Sequence, residues 1–443
     1  MRSYQILAMC GLFLVYYFVQ QEWLKYLVVA MALLAFVGSA MKAKGFPRWL
    51  GLFMMGMGIF LELQKGAGAV GISEGILLTL PLLCLIVLAP LIALPLRVGG
   101  YFGAVDSLLH NLLHHPKKLF AGITGTLFIL TPILNLGSVR ILNEFLKDLR
   151  LPSTMSAKSY LVGFSTSPLW SPYFASVSIV LHYLNIPVGE YIIYGFSFAF
   201  LSLIIGNLLF AIWEHRHPMV SDSASETPLD KVQRNQLIRL VLFVIVLLTC
   251  SLLIEYLTHW SMLVIVSLIS ICFPLLWGFV LKGRSILLSE FKGFRDQTVP
   301  MLNNEIVLFT SAGLLGHALQ GTSFANGISG YLTNLAHQSF LLFALAVIAI
   351  IIVVTYIGIH QMAVITAFAM QLNAQELGIS NLSLAMLLLL AWSTSTALSP
   401  FSGLNLMVSR ISGASGVQVG LRANGVHLSI VTIIGIVIIT FIR

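Results

Sequence analysis

Phe164-Ser165-Thr166-Ser167-Pro168-Leu169-Trp170-Ser171-Pro172-Tyr173 returns 228 residues later as Trp392-Ser393-Thr394-Ser395-Thr396-Ala397-Leu398-Ser399-Pro400-Phe401. Both copies read aromatic, Ser-Thr-Ser, three residues, Ser-Pro, aromatic, and both lie inside long apolar runs. Proline withholds a backbone N–H and clashes with the preceding turn, so each run is expected to come apart as a helix near its Ser-Pro step. In lipid, backbone that leaves a helix must be covered by protein or line a watery cavity. The half-helix ends then offer carbonyls to a cation and N–H groups to an anion. The plainer role for the same hydroxyls is interhelical hydrogen bonding.

The rest of the chain places this pattern in a membrane. Of 443 residues, 58% are hydrophobic and 9% charged, and the mean hydropathy of +0.96 is too high for a soluble domain, whose surface would be too apolar. A helix crossing the hydrocarbon needs about 20 apolar residues. Eleven runs qualify as spans, over 5–20, 25–41, 48–64, 74–96, 159–184, 190–213, 238–257, 261–281, 301–320, 382–409 and 424–442. The first resembles a signal sequence, but Gln20-Gln21-Glu22 follows it without a small-residue cleavage site, so it is expected to remain as a span. Cys10, Cys84, Cys250 and Cys272 lie in apolar runs without disulfide or metal-ligand spacing, as packing residues would.

Two more apolar stretches, 119–149 and 340–372, are interrupted by Thr131-Pro132, Asn135, Gly137 and Ser138, and by Gly358, His360 and Gln361. Each is either one kinked span or a re-entrant hairpin, and charge separates the two. With the N-terminus inside and both stretches as hairpins, the cytoplasmic face receives Lys42, Lys44, Arg48, Arg97, Lys117, Lys118, Lys147, Arg150 and Lys158. It also receives Arg216, Lys231, Arg234, Arg239, Lys282, Arg284, Lys292, Arg295, Arg410 and Arg422, leaving Lys25, Lys65 and Arg443 outside. A full crossing would put a basic cluster on the wrong side, so the positive-inside rule selects hairpins. The same rule assigns the net charge of +8 to membrane topology rather than to nucleic acid. On this topology the two copies of the quoted motif run in opposite directions, an inverted repeat, with the C-terminus outside.

Amphipathic segments precede both hairpins: basic Val98 to Lys118, and Thr322 to Gln338, which has no Lys or Arg. Interfacial helices on opposite faces would look like this; ordinary loop is the alternative. Glu214 to Gln236, containing Ser221-Asp222-Ser223-Ala224-Ser225-Glu226, reads as a flexible linker between the halves.

The candidate ligand residues of the first half are Asn135, Gly137 and Ser138 at the tip, with Ser165, Thr166, Ser167 and Ser171 at the break. In the second half they are Gly358, His360 and Gln361, with Ser393, Thr394, Ser395, Ser399 and Asn405. Glycine permits close approach, and the polar side chains suit a desolvated ligand. His360 at a membrane-buried turn is costly and points to substrate binding or proton movement; the alternative is a neutral imidazole bonded to a carbonyl. Arg140 either neutralises a carboxylate or reaches toward water. Glu305 either marks the interface or couples protons. His110, His114 and His115 lack nearby acidic or Cys ligands and suit an interfacial face better than a metal site. No P-loop, His-Glu-x-x-His or Gly-x-Ser-x-Gly motif is present, which leaves neither an ATPase nor a familiar hydrolase.

The order of elements resembles the ion transporter superfamily, most closely the divalent anion:sodium symporters. The resemblance spans essentially the whole chain: one extra N-terminal span, then two inverted units of three spans, an interfacial helix, a hairpin, a broken span and a final span. It implies an all-α polytopic fold and an elevator-type secondary transporter working as a homodimer. It also implies scaffold segments at 1–118 and 238–338, transport segments at 119–213 and 339–443, and a linker at 214–237. That family carries Ser-Asn-Thr at both hairpin tips, whereas these tips read Asn135-Leu136-Gly137-Ser138 and Gly358-Ile359-His360-Gln361. The expected function is import or export of a small, anionic organic solute across the cytoplasmic membrane, coupled to Na⁺ or H⁺, with no resident cofactor or metal and no nucleic-acid partner. The alternatives are a Na⁺/H⁺ antiporter of the same fold, disfavoured by the scarcity of buried carboxylates, and a membrane enzyme or lipid-handling protein.

Overall fold

The computed structural model describes the whole chain except Met1 and residues 148–150, 219–229, 282–283 and 359–360. An added helix, α1 (Arg2–Val19), precedes the first half. That half runs α2 (Glu22–Ala40), α3 (Phe46–Gln64), α4 (Gly68–Leu88), a short continuation α5 (Ala93–Val98) and α6 (Tyr101–Asn111). It goes on through α7 (Pro116–Leu134), α8 (Leu136–Leu146), α9 (Ser153–Thr166), α10 (Ala175–Tyr183) and α11 (Val188–Arg216). The second half repeats the plan with α12 (Lys231–Thr258), α13 (Met262–Leu281), an inserted α14 (Arg284–Gly293), α15 (Asn303–Leu319) and α16 (Ser323–Gln338). Its remainder is α17 (Phe340–Tyr356), α18 (Gln361–Gln371), α19 (Asn381–Leu398), α20 (Gly403–Ser412) and α21 (Asn424–Ile442).

This is an all-α polytopic membrane protein. Among the described residues nine helices are long and apolar enough to cross a bilayer, and Met262–Gly278 and Phe340–Tyr356 are shorter apolar helices. The nine include α7, placed by the sequence in a hairpin arm. They omit the first broken span, because α9 and α10 are each too short alone. The fourth run starts earlier than the hydropathy pattern suggests, at Gly68 rather than residue 74. The Ser221 to Glu226 part of the expected linker lies outside the described residues; at its end Asp230 caps α12, its carboxylate accepting from the Lys231 N–H at 2.7 Å.

Two kinds of packing hold the halves together. In the first three spans of each half, glycines let backbones touch: a Cβ on Gly51 would meet Val307 Cγ1 at 2.4 Å, and one on Gly58 would meet Leu314 Cγ at 2.8 Å. Association in lipid depends on such close packing, since lipid tails are as apolar as the side chains. The broken spans are different, because α19 is buried over almost its whole circumference. A helix hydrophobic all round and surrounded by protein lies at the centre of its bundle, which sets both breaks inside the molecule.

Candidate functional site

The Ser-Thr-Ser tracts themselves are helical: Ser165 and Thr166 lie in α9, and Ser393, Thr394 and Ser395 in α19. The chain comes apart just beyond them, at Trp170 to Phe174 and at Ser399 to Ser402. Proline explains the location, since Pro168, Pro172 and Pro400 each lack the N–H that would continue the ladder.

The two breaks share two hydrogen bonds at equivalent positions. Tyr173 N–H donates to Ser171 Oγ at 3.3 Å, and Phe401 N–H to Ser399 Oγ at 3.3 Å. Ser171 N–H bonds to the Ser167 carbonyl at 3.1 Å, and Ser399 N–H to that of Ser395 at 2.9 Å. Each pair is separated by the offset seen in the sequence, so the repeat is structural. At its centre the Ser393 hydroxyl donates to the Ser165 carbonyl at 2.6 Å.

Protein donors cover the carbonyls that the breaks release. Tyr191 OH donates to the Leu169 carbonyl at 2.6 Å, and Ser178 Oγ to that of Pro172 at 2.5 Å. In the second break, Asn405 Nδ2 donates to Ala397 O at 3.1 Å and Gly416 O at 3.0 Å, and Ser402 Oγ to Thr396 O at 2.6 Å. Tyr191 and its neighbour Gly195, whose Cβ would lie 2.6 Å from the Leu169 carbonyl, were not singled out from the sequence. Neither carries a local signal, because their partner is 22 or more residues away in a different helix.

Both tips reach the second break. At the first tip Asn135 adopts φ 50°, a conformation Asn tolerates better than most residues. Ser138 Oγ donates to the Asn135 carbonyl at 2.6 Å and lies 2.9 Å from Thr131 Oγ1. Leu136, beside them, abuts Gly403 at the start of α20, where a Cβ would come within 3.1 Å of its Cδ1. The first tip thus meets the second break, and α18 of the second helix pair packs on α10 of the first break. Gln361 also joins the second break directly, its Nε2 donating to Thr396 Oγ1 at 3.0 Å, while Ser399 Oγ donates to the Thr355 carbonyl at 2.8 Å. Gly358 has φ 99°, a value few residues other than glycine adopt. His360 lies outside the described residues.

Other expected site residues stand apart. Arg140 is exposed, on the first turns of α8, as a side chain reaching toward water would be. Glu305 sits in the first turn of α15, with Oε2 buried and unpartnered. Against expectation His110 has an acidic neighbour one helical turn away, its Nδ1 3.1 Å from an Asp106 carboxylate oxygen, while among the described residues no group of three His, Cys, Asp or Glu is placed to hold a metal ion.

A second polar cluster has no counterpart in the sequence reading. His317 Nδ1 on α15 donates to Glu62 Oε1 on α3 at 2.8 Å, and Glu62 is only 1% exposed. His317 Nε2 lies 3.8 Å from Glu74 Oε2, and Lys25 Nζ 4.0 Å from the other oxygen of that carboxylate. The partners are 255 residues apart, and no spacing rule could have paired them.

Comparison with known proteins agrees with the fold. The sequence model of the family described as "Tripartite ATP-independent periplasmic transporter, DctM component" matches residues 168–442, more than half of the chain. Among solved structures the chain is similar to the YdaH transporter of Alcanivorax borkumensis, described as having an unusual topology. That likeness has a TM-score of 0.52 at 14% identity, covers 80% of this chain and 85% of the other, and concerns the fold alone. No curated protein matches the chain. The family match does not extend to the divalent anion:sodium symporters that the order of elements resembles.

Proposed function

Since this chain belongs to the DctM-component family of tripartite ATP-independent periplasmic transporters, and is therefore a secondary transporter rather than an enzyme, we propose that it carries a small organic anion across the cytoplasmic membrane, driven by Na⁺ or H⁺. The observation that carries this reading is the meeting of the two broken spans, joined just ahead of their breaks by the 2.6 Å bond from Ser393 to Ser165. Broken helices at the interface of repeats are where secondary carriers bind solute and coupling ion. The family's name also implies two further components as partners.

The arrangement of the halves supports an elevator. Residues 119–213 and 339–443 form the moving part, containing both helix pairs and both breaks; residues 1–118 and 238–338 form the scaffold, tied by the Gly51 and Gly58 contacts. Residues 214–237 link the halves. The charge pattern sets the N-terminus inside, the C-terminus outside and the copies in opposite directions, with the helix pairs α7–α8 and α17–α18 as re-entrant hairpins. The scaffold face is the surface for a homodimer. Asn135, Gly137, Ser138, Ser165, Thr166, Ser167 and Ser171 serve one half-site, and Gly358, His360, Gln361, Ser393, Thr394, Ser395, Ser399 and Asn405 the other. The antiporter alternative gains no support from the family match.

Ligand-dependent thermal stabilisation needs only this chain and tests the reading. The purified full-length protein is heated with a panel of carboxylates, sulfonates, phosphate and inorganic anions, in Na⁺, Li⁺ or K⁺. A specific ligand at a hundred times its Kd adds about 2.7 kcal/mol through mass action. A carboxylate that acts only with one cation identifies solute and coupling ion together; stabilisation by lipid alone would remove the carrier reading. Ser395→Ala and His360→Ala are each expected to abolish the ligand effect while leaving the protein folded.

A further inference from the structure

We propose that the anionic group of the solute is held at the first break, by Ser167 and Ser176 at the uncapped N-terminus of α10, leaving the second half-site to the rest of the solute and the coupling cation. This inference rests on the reading of the chain as an organic-anion carrier and divides the work between its two half-sites.

The two breaks share a backbone and differ in side chains. The N-cap of α20 is Ser402, whose hydroxyl accepts from the Asn405 N–H at 3.0 Å. The equivalent N-cap of α10 is Phe174, and no side chain caps that helix. Val177 N–H bonds back to the Phe174 carbonyl at 3.0 Å, but the N–H groups of Ala175 and Ser176 precede the first intrahelical bond and point out of the helix end.

Three polar atoms of this break are buried without a partner: Ser167 Oγ, Ser176 Oγ and Trp170 Nε1, the last on an indole that stands against Phe128 and Phe196. Ser167 and Ser176 are 0% exposed and Trp170 3%. Their counterparts in the second break are either satisfied or apolar. Ser395, which matches Ser167, donates to the Trp392 carbonyl at 3.0 Å; Trp170 is matched by Leu398 and Ser176 by Leu404. Cα–Cβ bonds lean toward a helix N-terminus, so the Ser176 hydroxyl leans toward the open end of α10. The Ser167 to Leu169 turn packs on α10.

The chemistry selects the ligand class. Helix-end amides can only donate, hydroxyls can do so, and the half-helix dipole adds positive potential. Three carbonyls at or beside the break, those of Ser165, Leu169 and Pro172, are already taken by Ser393, Tyr191 and Ser178. The unpartnered hydroxyls and helix-end amides make a set of donors suited to a carboxylate, sulfonate or phosphate group. Because the hydroxyls are sealed from solvent in this conformation, the ligand enters when the break opens.

Charge-selective thiol labelling tests this directly. Ser167→Cys, Ser176→Cys and Ser402→Cys are made separately in the full chain with its four native cysteines replaced. Each is reacted with anionic sulfonatoethyl and cationic trimethylammonioethyl methanethiosulfonate, every rate being divided by that of the same reagent with a free thiol. The first two variants should favour the anion by about tenfold or more, the enrichment expected of a focused positive field, and Ser402→Cys should show no such preference. A ratio of one or below in both first-break variants, no reaction in either, or the same preference in Ser402→Cys would overturn the assignment. If one first-break variant fails to fold, the other decides. Succinate, methanesulfonate and phosphate stabilisation of the native protein is measured alongside. Stabilisation without selectivity would leave the carrier reading standing and remove this one; selectivity without stabilisation would do the reverse.

Discussion

Ser393 donates its hydroxyl to the carbonyl of Ser165 at 2.6 Å, and these two residues hold the same position in the two copies of the repeat. Equivalent positions touch only where the pseudosymmetry axis passes. The bond therefore marks the axis of the transporter and fixes the distance between α9 and α19. Because it runs from a side chain to a backbone atom, its two ends respond differently to mutation. Ser393→Ala leaves a buried carbonyl unmatched and should cost about 1–3 kcal/mol, whereas Ser165→Ala keeps the bridge and should cost about 1 kcal/mol or less. Thermal unfolding of the two variants in detergent measures the difference, and equal losses would mean that the bridge contributes nothing.

Gly195 and Gly420 guard equivalent carbonyls. A Cβ at Gly195 would lie 2.6 Å from Leu169 O, and one at Gly420 2.6 Å from Leu398 O and 2.8 Å from Ala397 O. Overpacking of this kind costs about 1–3 kcal/mol, so Gly195→Ala and Gly420→Ala should each lower the unfolding midpoint. Gly189→Ala, with open space around its Cβ, is the control and should be neutral or slightly stabilising.

Asn405 works as a donor. It is buried, and its Nδ2 faces the carbonyls of Ala397 and Gly416. Asn405→Ala should lose about 1–3 kcal/mol. Asn405→Asp should be worse despite its matching shape, since a carboxylate there meets carbonyl oxygens with nothing to donate. An Asp variant as stable as the native protein would show that shape rather than donation matters.

The Glu62 and His317 pair should behave as a unit. Removing His317 strands a carboxylate that is 1% exposed, and breaking such a pair costs about 3–5 kcal/mol. The double variant Glu62→Ala with His317→Ala should lose clearly less than the two single variants together. A double-mutant cycle measures this coupling, and simple additivity would refute it.

Gln361 ties the second helix pair to the break through its 3.0 Å bond to Thr396. Gln361→Ala should fold, with a midpoint lowered by no more than about 1–2 kcal/mol, the worth of one buried hydrogen bond, yet lose most of the stabilisation conferred by a bound solute. A full ligand response in the variant would take Gln361 out of the site.

Much of this molecule was legible in its sequence. Apolar runs of membrane length announced helices because lipid leaves the backbone no other partner. The Ser-Pro steps gave the breaks to within a few residues, since proline acts on its own turn, although the Ser-Thr-Ser tracts proved helical and the chain parts just after them. Asn135 and Gly358 could be picked out because turns with positive φ restrict residue type locally. Ser176, by contrast, is one serine among many until Phe174 is seen to leave α10 uncapped. Periodicity and proline act over a turn or two, and so the sequence by itself determined the membrane environment, the helices, their breaks and the duplication. Which carbonyl Tyr191 covers, which tip meets which break, and that Glu62 finds His317 were decided only by tertiary structure, because hydrogen bonds between helices depend on side chains that packing brings together from distant parts of the chain.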